Sequence, residues 1–524
     1  MNQQSLTQEQ IETIFRDIQL DSKNNQHDSV LQKCDFLLQF LPTAHGIHYY
    51  KALALSMKGM NDLAYDIQLI GLQYDPDNAA YHFNAATYAQ EKNDVLRSMM
   101  HYQRSLHIKP DYQEALWNYS EQLRLDGHIE MAIDCLHRLI ELGEDHYDKF
   151  YNRLVACYAL LDEYQERAHA LYKKLLQDPT DDVARWGYAL DELRQEHFDT
   201  GFTYYNRRFE SSYLNNAYCY NFPYPLLGEK IKKGQVIVVH GEQGLGDEMM
   251  FMSPMNELLA EAKAAQAKVI IACKPSLVRL FASSFPETRV FAHTYREPSQ
   301  DIAQLKVDAH LPMGHLLQRY RKSLADFDNN RHAYFVADSQ RTAYFDQRIK
   351  IQGRESKDGK RRLRVGLMWG TVSSETVQRF ERAASKKSIP LPLFKPFIDL
   401  VDDIEFVSLQ NKDRGSEAAL LPELQMIDFS LEQDDFYDTA AIIKNLDIVV
   451  CVCTSVSHLA GGMEAETWVP LIKNPDWRHG LPTRDTSYWY NNTRYFRQTQ
   501  TDQWSDVIDN LATALRERAA QFKS

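Results

Sequence analysis

The chain has 524 residues, enough for roughly two to four domains, and its 44% apolar and 25% charged residues are typical of a globular protein. A net charge of -13 at pH 7 argues against a protein that binds nucleic acid or an anionic membrane through a large basic surface. Seven scattered cysteines, no CxxC pair, no signal peptide and no long apolar run predict a cytoplasmic protein with free thiols and no membrane insertion.

A 34-residue period organises the first part of the chain. Proline recurs at Pro42, Pro76 and Pro110, where it ends one helix and starts the next turn. Small residues, which let two antiparallel helices pack closely, recur in register with these prolines. They are Ala52, Ala86 and Ser120 in the first helix of each unit and Ala64, Ser98 and Ala132 in the second. The pattern resembles tetratricopeptide repeats (TPRs) and predicts a TPR solenoid of roughly four or five helical hairpins over residues 1–200.

A solenoid of this kind has a concave groove that suits an extended peptide or a partner helix. Aromatic residues could line the groove, although at helical spacing they more often belong to a core. The candidates are Tyr81, Tyr88, Trp117 and Tyr119. A plain helical bundle is the alternative fold for this region.

The period is lost at Gly201, and an aromatic connector leads into apolar runs that alternate with helical patterns. This alternation is typical of a parallel α/β sheet and occurs twice, over 201–350 and 351–524, with a charged stretch at 348–364 between. Two Rossmann-like lobes in succession suggest a GT-B architecture with a cleft between the lobes. The predicted fold class is therefore α + α/β, and the terminal amphipathic helix is expected to cross back onto the first lobe.

A glycine-rich turn opens the first α/β lobe in the stretch VIVVHGEQGLGDEMMF, residues 236–251. Gly241, Gly244 and Gly246 let the chain turn sharply after a strand and approach a ligand with bare backbone. Asp247 then stands at the start of a helix, where aspartate is a favoured N-cap. The glycines do not match the dinucleotide pattern GxGxxG, so the turn alone predicts only a strand-helix unit.

Seven sequence blocks give this turn its context, and they extend over roughly residues 201–515. The blocks are GEQGLGDEMMF (241–251), VGLMWG (365–370), KSIPL (387–391), FVSLQ (406–410), DTAAIIKNLDIVV (438–450), TSVSHLAGG (454–462) and PDWRHG (475–480). Together they resemble the glycosyltransferase-like domain that follows TPR arrays in many bacterial proteins. That domain is similar to the heptosyltransferase family and, more distantly, to protein O-GlcNAc transferases. Some members modify flagellins with nonulosonic acids, and their repeats recruit the protein substrate.

The resemblance implies an inverting, metal-independent transfer of a sugar from a nucleotide-activated donor to a protein acceptor. Asp247 matches the aspartate that heptosyltransferases use as the base, and Glu248 and Glu242 are substitutes. Lys387 matches a phosphate-contacting lysine and would neutralise the leaving group. The other residues expected at the substrate or nucleotide are Gly244, Gly246, Gln410, Thr454, Ser455, Ser457 and His458, mostly at a helix start or a strand end.

Several alternatives remain open at this point. Lys386 and Arg382 could take the place of Lys387, while Trp477 and Arg478 are interpreted as structural. Cys453 stands where the family often has an aspartate, which indicates either an altered donor or an inactive site. The second hypothesis is therefore a TPR scaffold or chaperone-like protein whose glycosyltransferase domain is degenerate. The expected donor is a CMP-linked nonulosonic acid, with flagellin as the acceptor, or else a UDP-N-acetylhexosamine. No metal is expected, because His310, His315 and His458 lack ligand spacing.

Overall fold

The computed structural model describes the chain except for residues 1–5, 144–146, 162, 211–221, 294–299, 355–358, 360, 372–386, 412–413, 415, 502 and 524. Arg382 and Lys386, proposed above as neighbours of Lys387, lie outside the described residues. Contacts divide the chain into two compact units, Met1–Lys174 and Leu175–Ser524. The division lies earlier than the limit at residue 200 that the loss of the period suggests.

The first unit consists of successive helical hairpins. Its helices are α1 (Gln8–Lys23), α2 (His27–Leu38), α3 (His45–Met57), α4 (Asn61–Tyr74), α5 (Ala79–Glu91), α6 (Val95–Ile108), α7 (Gln113–Leu125), α8 (Ile129–Glu141), α9 (Tyr147–Leu161) and α10 (Tyr164–Gln177). The small residues at the predicted helix crossings all have 0% exposure: Ala52, Ala86, Ser120, Ala64, Ser98 and Ala132. Close packing at these positions confirms the hairpins, and the array fits the predicted TPR solenoid.

The aromatic residues suggested for a groove belong to the core of this array. Tyr81, Tyr88 and Tyr119 are buried, and Trp117 is half-buried beneath the guanidinium of Arg153. Burial of large aromatic side chains supplies much of the apolar contact between neighbouring hairpins. Their helical spacing therefore reflects packing within the array.

The second unit begins with one more helical hairpin, α11 (Asp182–Arg194) and α12 (Phe198–Tyr205). Apolar side chains of this hairpin share one hydrophobic core with both α/β lobes, and Phe198, Phe202 and Tyr205 are among them. The repeat pattern places the hairpin in the solenoid, whereas its contacts place it in the α/β unit.

The first lobe contains a parallel sheet in the order β3-β2-β1-β4. Its strands are β1 (Val236–His240), β2 (Lys268–Cys273), β3 (Arg289–Ala292) and β4 (Ala309–Pro312). The helices around it are α13 (Leu245–Phe251), α14 (Met255–Ala264), α15 (Val278–Ser284), α16 (Gln300–Ala303), α17 (His315–Tyr320) and α18 (Leu324–Asp328). The helix that follows, α19 (Ser339–Gln352), packs against the second lobe.

The second lobe contains a parallel sheet in the order β10-β9-β8-β5-β6-β7. Its strands are β5 (Leu363–Met368), β6 (Ile404–Ser408), β7 (Ile427–Asp428), β8 (Ile448–Cys451), β9 (Thr467–Leu471) and β10 (Thr493–Arg497), and its α-helices are α20 (Phe436–Ile443), α21 (Ser455–Gly462) and α22 (Ser505–Lys523). Numbered along the chain, this is the Rossmann order 3-2-1-4-5-6, in which ligands bind at the carboxyl ends of the strands where the order reverses. In this sheet that point lies between β5 and β8.

The terminal helix α22 packs on the second lobe, so the expectation that it crosses back onto the first lobe is wrong. Val507, Ile508 and Leu511 are buried in a core with Leu363 of β5 and Phe394 of a 3-10 helix, Leu391–Leu400. Within the described residues, no helix is both long enough and apolar enough to cross a bilayer.

Candidate functional site

The glycine turn after β1 contains three glycines, and each is required for a different contact. A Cβ atom on Gly241 would lie 2.3 Å from Cδ of Glu248. Glu248 is fully buried and forms an ion pair with Lys274 at 2.6 Å. Burial raises the pKa of Glu248, against the opposing charge of Lys274. Gly241 therefore makes room for a buried carboxylate, and Glu248 is not open to a ligand as a substitute base.

Glu242 fills the point between β1 and β4 where the order of the first sheet reverses. Its carboxylate is fully buried, accepts a hydrogen bond of 2.7 Å from Nε of Arg208 and another of 2.8 Å from the backbone N–H of Gly314. A buried pair of this kind loses several kcal/mol when one partner is removed, because the other charge is left unpaired. Glu242 is thus structural, and the second substitute base is also withdrawn from the cleft.

Gly246 allows the two lobes to touch. A Cβ atom here would lie 3.0 Å from Cδ2 of His458 and 3.3 Å from Cα of Ser455, both in α21 of the second lobe. The bare backbone predicted for a ligand is thus used for contact between helices α13 and α21. Gly244 is the N-cap of α13, and its N–H donates to Oδ2 of Asp247 at 2.9 Å. Asp247 is therefore the third helical residue and not the N-cap, although it does bond the cap backbone.

The second carboxylate oxygen of Asp247 forms an ion pair with Arg478 of the second lobe. Their side chains are 21% and 14% exposed, so the pair lies partly in the cleft between the lobes. Nη1 of Arg478 also lies 3.5 Å from Asp476, and Nζ of Lys387 lies 3.5 Å from the same carboxylate oxygen. Asp247, Asp476, Arg478 and Lys387, which we call the charged cluster, thus combine two negative and two positive groups.

The electrostatics of the charged cluster follow from this pairing. Burial acts to raise the pKa of Asp476, but the charges of Arg478 and Lys387 outweigh it and hold that pKa well below its usual value. The thiol of Cys453 and the carboxylate of Asp476 raise the pKa of Lys387. Asp476, Lys387 and Arg478 are therefore charged at neutral pH.

Cys453, the residue that departs from the family pattern, borders the charged cluster. Its sulfur lies 3.1 Å from Nε2 of His479 and 3.9 Å from Nζ of Lys387. One ligand atom each of Cys453, Asp476 and His479 lie within 4.8 Å of one another, a spacing that a metal ion could use. The ammonium of Lys387 lies next to two of these groups, Cys453 and Asp476, and supplies a positive charge there.

His458 lies in the first turn of α21 and is buried. Its Nδ1 lies 2.9 Å from the hydroxyl of Tyr490. Burial lowers the pKa of His458 to about 4, so the ring is neutral at pH 7. A neutral ring adds no positive charge to the site.

A cavity of about 510 Å³ lies between the lobes, and the four residues of the charged cluster are not among its described lining residues. Leu245, Gly246 and Ser276 line it from the first lobe. From the second lobe, it is lined by residues at the carboxyl ends of β5, β6 and β8, and by the first turns of α20 and α21. Of the residues expected at the substrate, Gly246, Thr454 and Ser455 line this cavity. Its place matches the ligand position of the Rossmann order.

The start of α21 offers backbone donors to this cavity. Thr454 is the N-cap of α21, but its side chain makes no capping hydrogen bond and its hydroxyl instead contacts the sulfur of Met368 at 3.5 Å. The first N–H groups of the helix, at Ser455 and Val456, are therefore uncapped at the cavity wall, where an anion is favoured. Ser457 does not share this role, because its hydroxyl donates to the carbonyl of Thr454 at 2.6 Å.

Gln410 is buried next to the cavity but is not among its described lining residues. Its neighbours Leu409 and Asn411 line the cavity, and side chains alternate between the two faces of a strand. Gln410 has 0% exposure, and neither Nε2 nor Oε1 has a hydrogen-bond partner among the described residues. An unsatisfied buried amide costs roughly 1–3 kcal/mol, so it marks a place where a polar partner would be bound strongly.

Arg414, a residue that the sequence motifs do not include, binds the backbone of the cavity-lining residue Thr371. Its guanidinium donates to the carbonyl of Thr371 at 3.0 Å and pairs with Glu417 at 2.8 Å. A Cβ atom on Gly370 would lie 1.9 Å from Nη1 of Arg414, so the glycine lets the guanidinium lie against the backbone. Gly370, the second glycine of VGLMWG, is the sequence signal that points to this contact.

A larger cavity, of about 820 Å³, lies at the other end of the first sheet. The exposed basic residues that border it are Lys263, Lys268, Arg289 and Lys306. The residues expected at the substrate are absent from its described lining. The inter-lobe cavity, which Gly246, Thr454 and Ser455 line, is therefore the candidate ligand site.

No family model matches the chain. A protein named FlbA from Caulobacter vibrioides is 24% identical over 490 residues, which cover 89% of this chain and 72% of that protein. YrrB, described as a TPR protein with an unusual peptide-binding site, is 18% identical and covers 33% of this chain and 88% of its own, with a TM-score of 0.30. The C-terminal part of a TPR repeat-containing protein from Cytophaga hutchinsonii is 15% identical over 48% of this chain and 92% of its own, with a TM-score of 0.34.

Proposed function

We propose that the second unit is a nucleotide-sugar-dependent glycosyltransferase of GT-B type whose acceptor is a protein bound by the TPR array. The observation that carries this proposal is the 510 Å³ cavity between two parallel-sheet lobes, which is lined by Gly246, the residue before Asp247 of the Asp247–Arg478 pair. Cavities of this size at the reversal point of a Rossmann sheet suit a nucleotide. We propose sugar transfer as the reaction because the ordered sequence blocks resemble the heptosyltransferase family.

In the proposed reaction, the acceptor hydroxyl attacks the anomeric carbon of the donor. The bond between this carbon and the phosphate oxygen breaks, and the nucleotide leaves with the electron pair. The acceptor proton passes to the carboxylate of Asp247, which Arg478 and the N–H of Gly244 hold in one orientation. The uncapped start of α21 and the ammonium of Lys387 stabilise the charge that develops on the leaving phosphate.

The donor and acceptor follow from the family likeness. We propose a CMP-linked nonulosonic acid as the first donor to test, with flagellin as its acceptor, and a UDP-N-acetylhexosamine as the second. Gln410 supports a polar ligand near the end of β6, because both its amide atoms are buried and have no partner in the part of the chain that the structure describes.

One observation favours the second candidate, a scaffold whose enzyme domain is inactive. Both oxygens of Asp247 already have partners, and the charged cluster balances its charges without a ligand. A carboxylate held in this way can be a structural tie between the lobes. The two candidates differ in whether nucleotides bind and sugars are transferred.

Transfer assays with the full chain separate them. The donors named above are incubated with candidate acceptors and wild-type protein, Asp247→Asn or the control Glu423→Gln, whose side chain is exposed on the second lobe. We expect Asp247→Asn to lower kcat by about 100-fold or more and Glu423→Gln to leave it unchanged. Equal rates in wild type and Asp247→Asn would remove the role given to Asp247. Calorimetry that detects no binding of CMP, UDP, GDP or ADP would support the scaffold.

A further inference from the structure

Tyr205, the last residue of α12, is buried and contacts both the glycine turn that precedes Asp247 and the 3-10 helix Trp477–His479 that carries Arg478. It has 0% exposure, and its ring packs against Trp186 of its own hairpin at 5.0 Å between ring centroids. Tyr205 is therefore one of the side chains through which the helical hairpin α11–α12 reaches the core of the α/β unit.

Toward the first lobe, Tyr205 contacts the glycine turn. Nε2 of Gln243 donates to its hydroxyl at 2.6 Å. Gln243 has a φ of 60°, a left-handed conformation that is uncommon for a residue with a side chain and needs support from its surroundings. The next residue is Gly244, whose N–H donates to Asp247. The phenol thus supports the turn that orients the carboxylate.

Toward the second lobe, Tyr205 contacts the segment that carries Arg478. Its ring centroid lies 5.7 Å from that of Trp477, at an angle of 62°. Phe202, one turn earlier in α12, packs on the same indole at 6.0 Å. Trp477 directly precedes Arg478, so the position of its ring helps to set where the guanidinium begins.

The hairpin is also tied to this segment at its other end. Glu196, between α11 and α12, pairs with Arg484 through two contacts of 2.6 and 2.7 Å. A Cβ atom on Gly480 would lie 2.7 Å from Oε1 of Glu196. The hairpin therefore contacts the 476–484 segment at both ends, and through Tyr205 it also contacts the glycine turn.

We propose that Tyr205 is a positioning residue that holds the Asp247 turn and the Arg478 segment in register, so that the helical hairpin sets the geometry of the catalytic pair. The role rests on the proposed function only for its effect on the rate. The contacts themselves predict that loss of the phenol hydroxyl loosens the glycine turn whether or not a sugar is transferred.

The test uses Tyr205→Phe in the full chain, with Tyr204→Phe as the matched control. Tyr204 is the neighbouring residue of α12, and its ring packs on Tyr188 of α11 at 4.9 Å. By hydrogen exchange and mass spectrometry, we expect peptides over 241–251 to exchange about fivefold faster in Tyr205→Phe and as in wild type in Tyr204→Phe. Unchanged exchange of this region in Tyr205→Phe would overturn the proposal.

The kinetic readout is a double-mutant cycle with Arg478→Lys. We expect Tyr205→Phe to lower kcat about tenfold with the Kd for nucleotide changed less than about twofold, and to have little further effect in the Arg478→Lys background. Rate losses that multiply independently would show that Tyr205 does not act through the pair. If the wild-type protein transfers no sugar, the proposed function fails, and the exchange measurement alone decides the role of Tyr205.

Discussion

Asp247 shows how far one side chain can be interpreted from sequence. Its place in the glycine turn and at a helix start is readable, because both depend on neighbours along the chain. Its ion pair with Arg478 is not, since the two residues are 231 positions apart. Arg478, which the sequence pattern makes structural, thus becomes a central residue of the site through a tertiary contact alone.

His458 differs in a similar way. A histidine at a helix start suggests contact with a phosphate, but this ring is buried, neutral at pH 7 and hydrogen-bonded through Nδ1 to Tyr490. Tyr490 is 32 positions from His458 along the chain, so this contact follows from the fold of the whole unit. The sequence identifies the residue but not its protonation state.

The neutral state of His458 predicts a pH dependence of stability. Burial lowers its pKa from 6.5 to about 4, so the unfolded chain binds the proton near pH 6.5 and the folded chain only near pH 4. Protonation of the unfolded chain therefore lowers the free energy of unfolding as the pH falls from 6.5 toward 4, and this loss is absent above pH 6.5. We expect the fall in Tm between pH 7 and pH 5 to be smaller in His458→Gln than in wild type. The control is His128→Gln, at an exposed site; an equal fall in all three proteins would contradict this prediction.

Helices α13 and α21 meet through a glycine, which is the contact that brings the lobes together beside the cavity. The glycine-rich turn and its helix could be predicted from the sequence, but not that Gly246 faces a helix of the other lobe. Backbone freedom and close packing both favour glycine, and only the partner distinguishes them.

Gly246→Ala tests this contact between the two helices. The new methyl would lie 3.0 Å from His458 and 3.3 Å from the backbone of Ser455, so α21 must shift. We expect the variant to be destabilised by about 1–3 kcal/mol and to bind nucleotide more weakly, measured by thermal unfolding and calorimetry. Gly228→Ala is the control, because a Cβ atom there meets nothing within 4 Å. A Gly246→Ala protein that matches wild type in both measurements would rule out a tight contact.

For the whole chain, the two fold types and their order along the sequence could be predicted from periodicity. The solenoid repeats every 34 residues, and the strands of both sheets appear as apolar runs. The limit between the units could not be predicted in this way. The α11–α12 hairpin keeps the helical pattern of the array, yet its apolar face is buried with Phe251 and Trp477 of the α/β unit. Helical periodicity gives the buried face of an element but not the partner that covers it.

The central claim is that the inter-lobe cavity holds the nucleotide of a sugar donor. A crystal structure of the full chain soaked with CMP or UDP tests it most directly. The account predicts a nucleotide in the cavity between the lobes, with its phosphate at the N–H groups of Ser455 and Val456 and beside the Asp247–Arg478 pair. A nucleotide bound elsewhere, or an empty cavity at millimolar concentrations of both ligands, would contradict it.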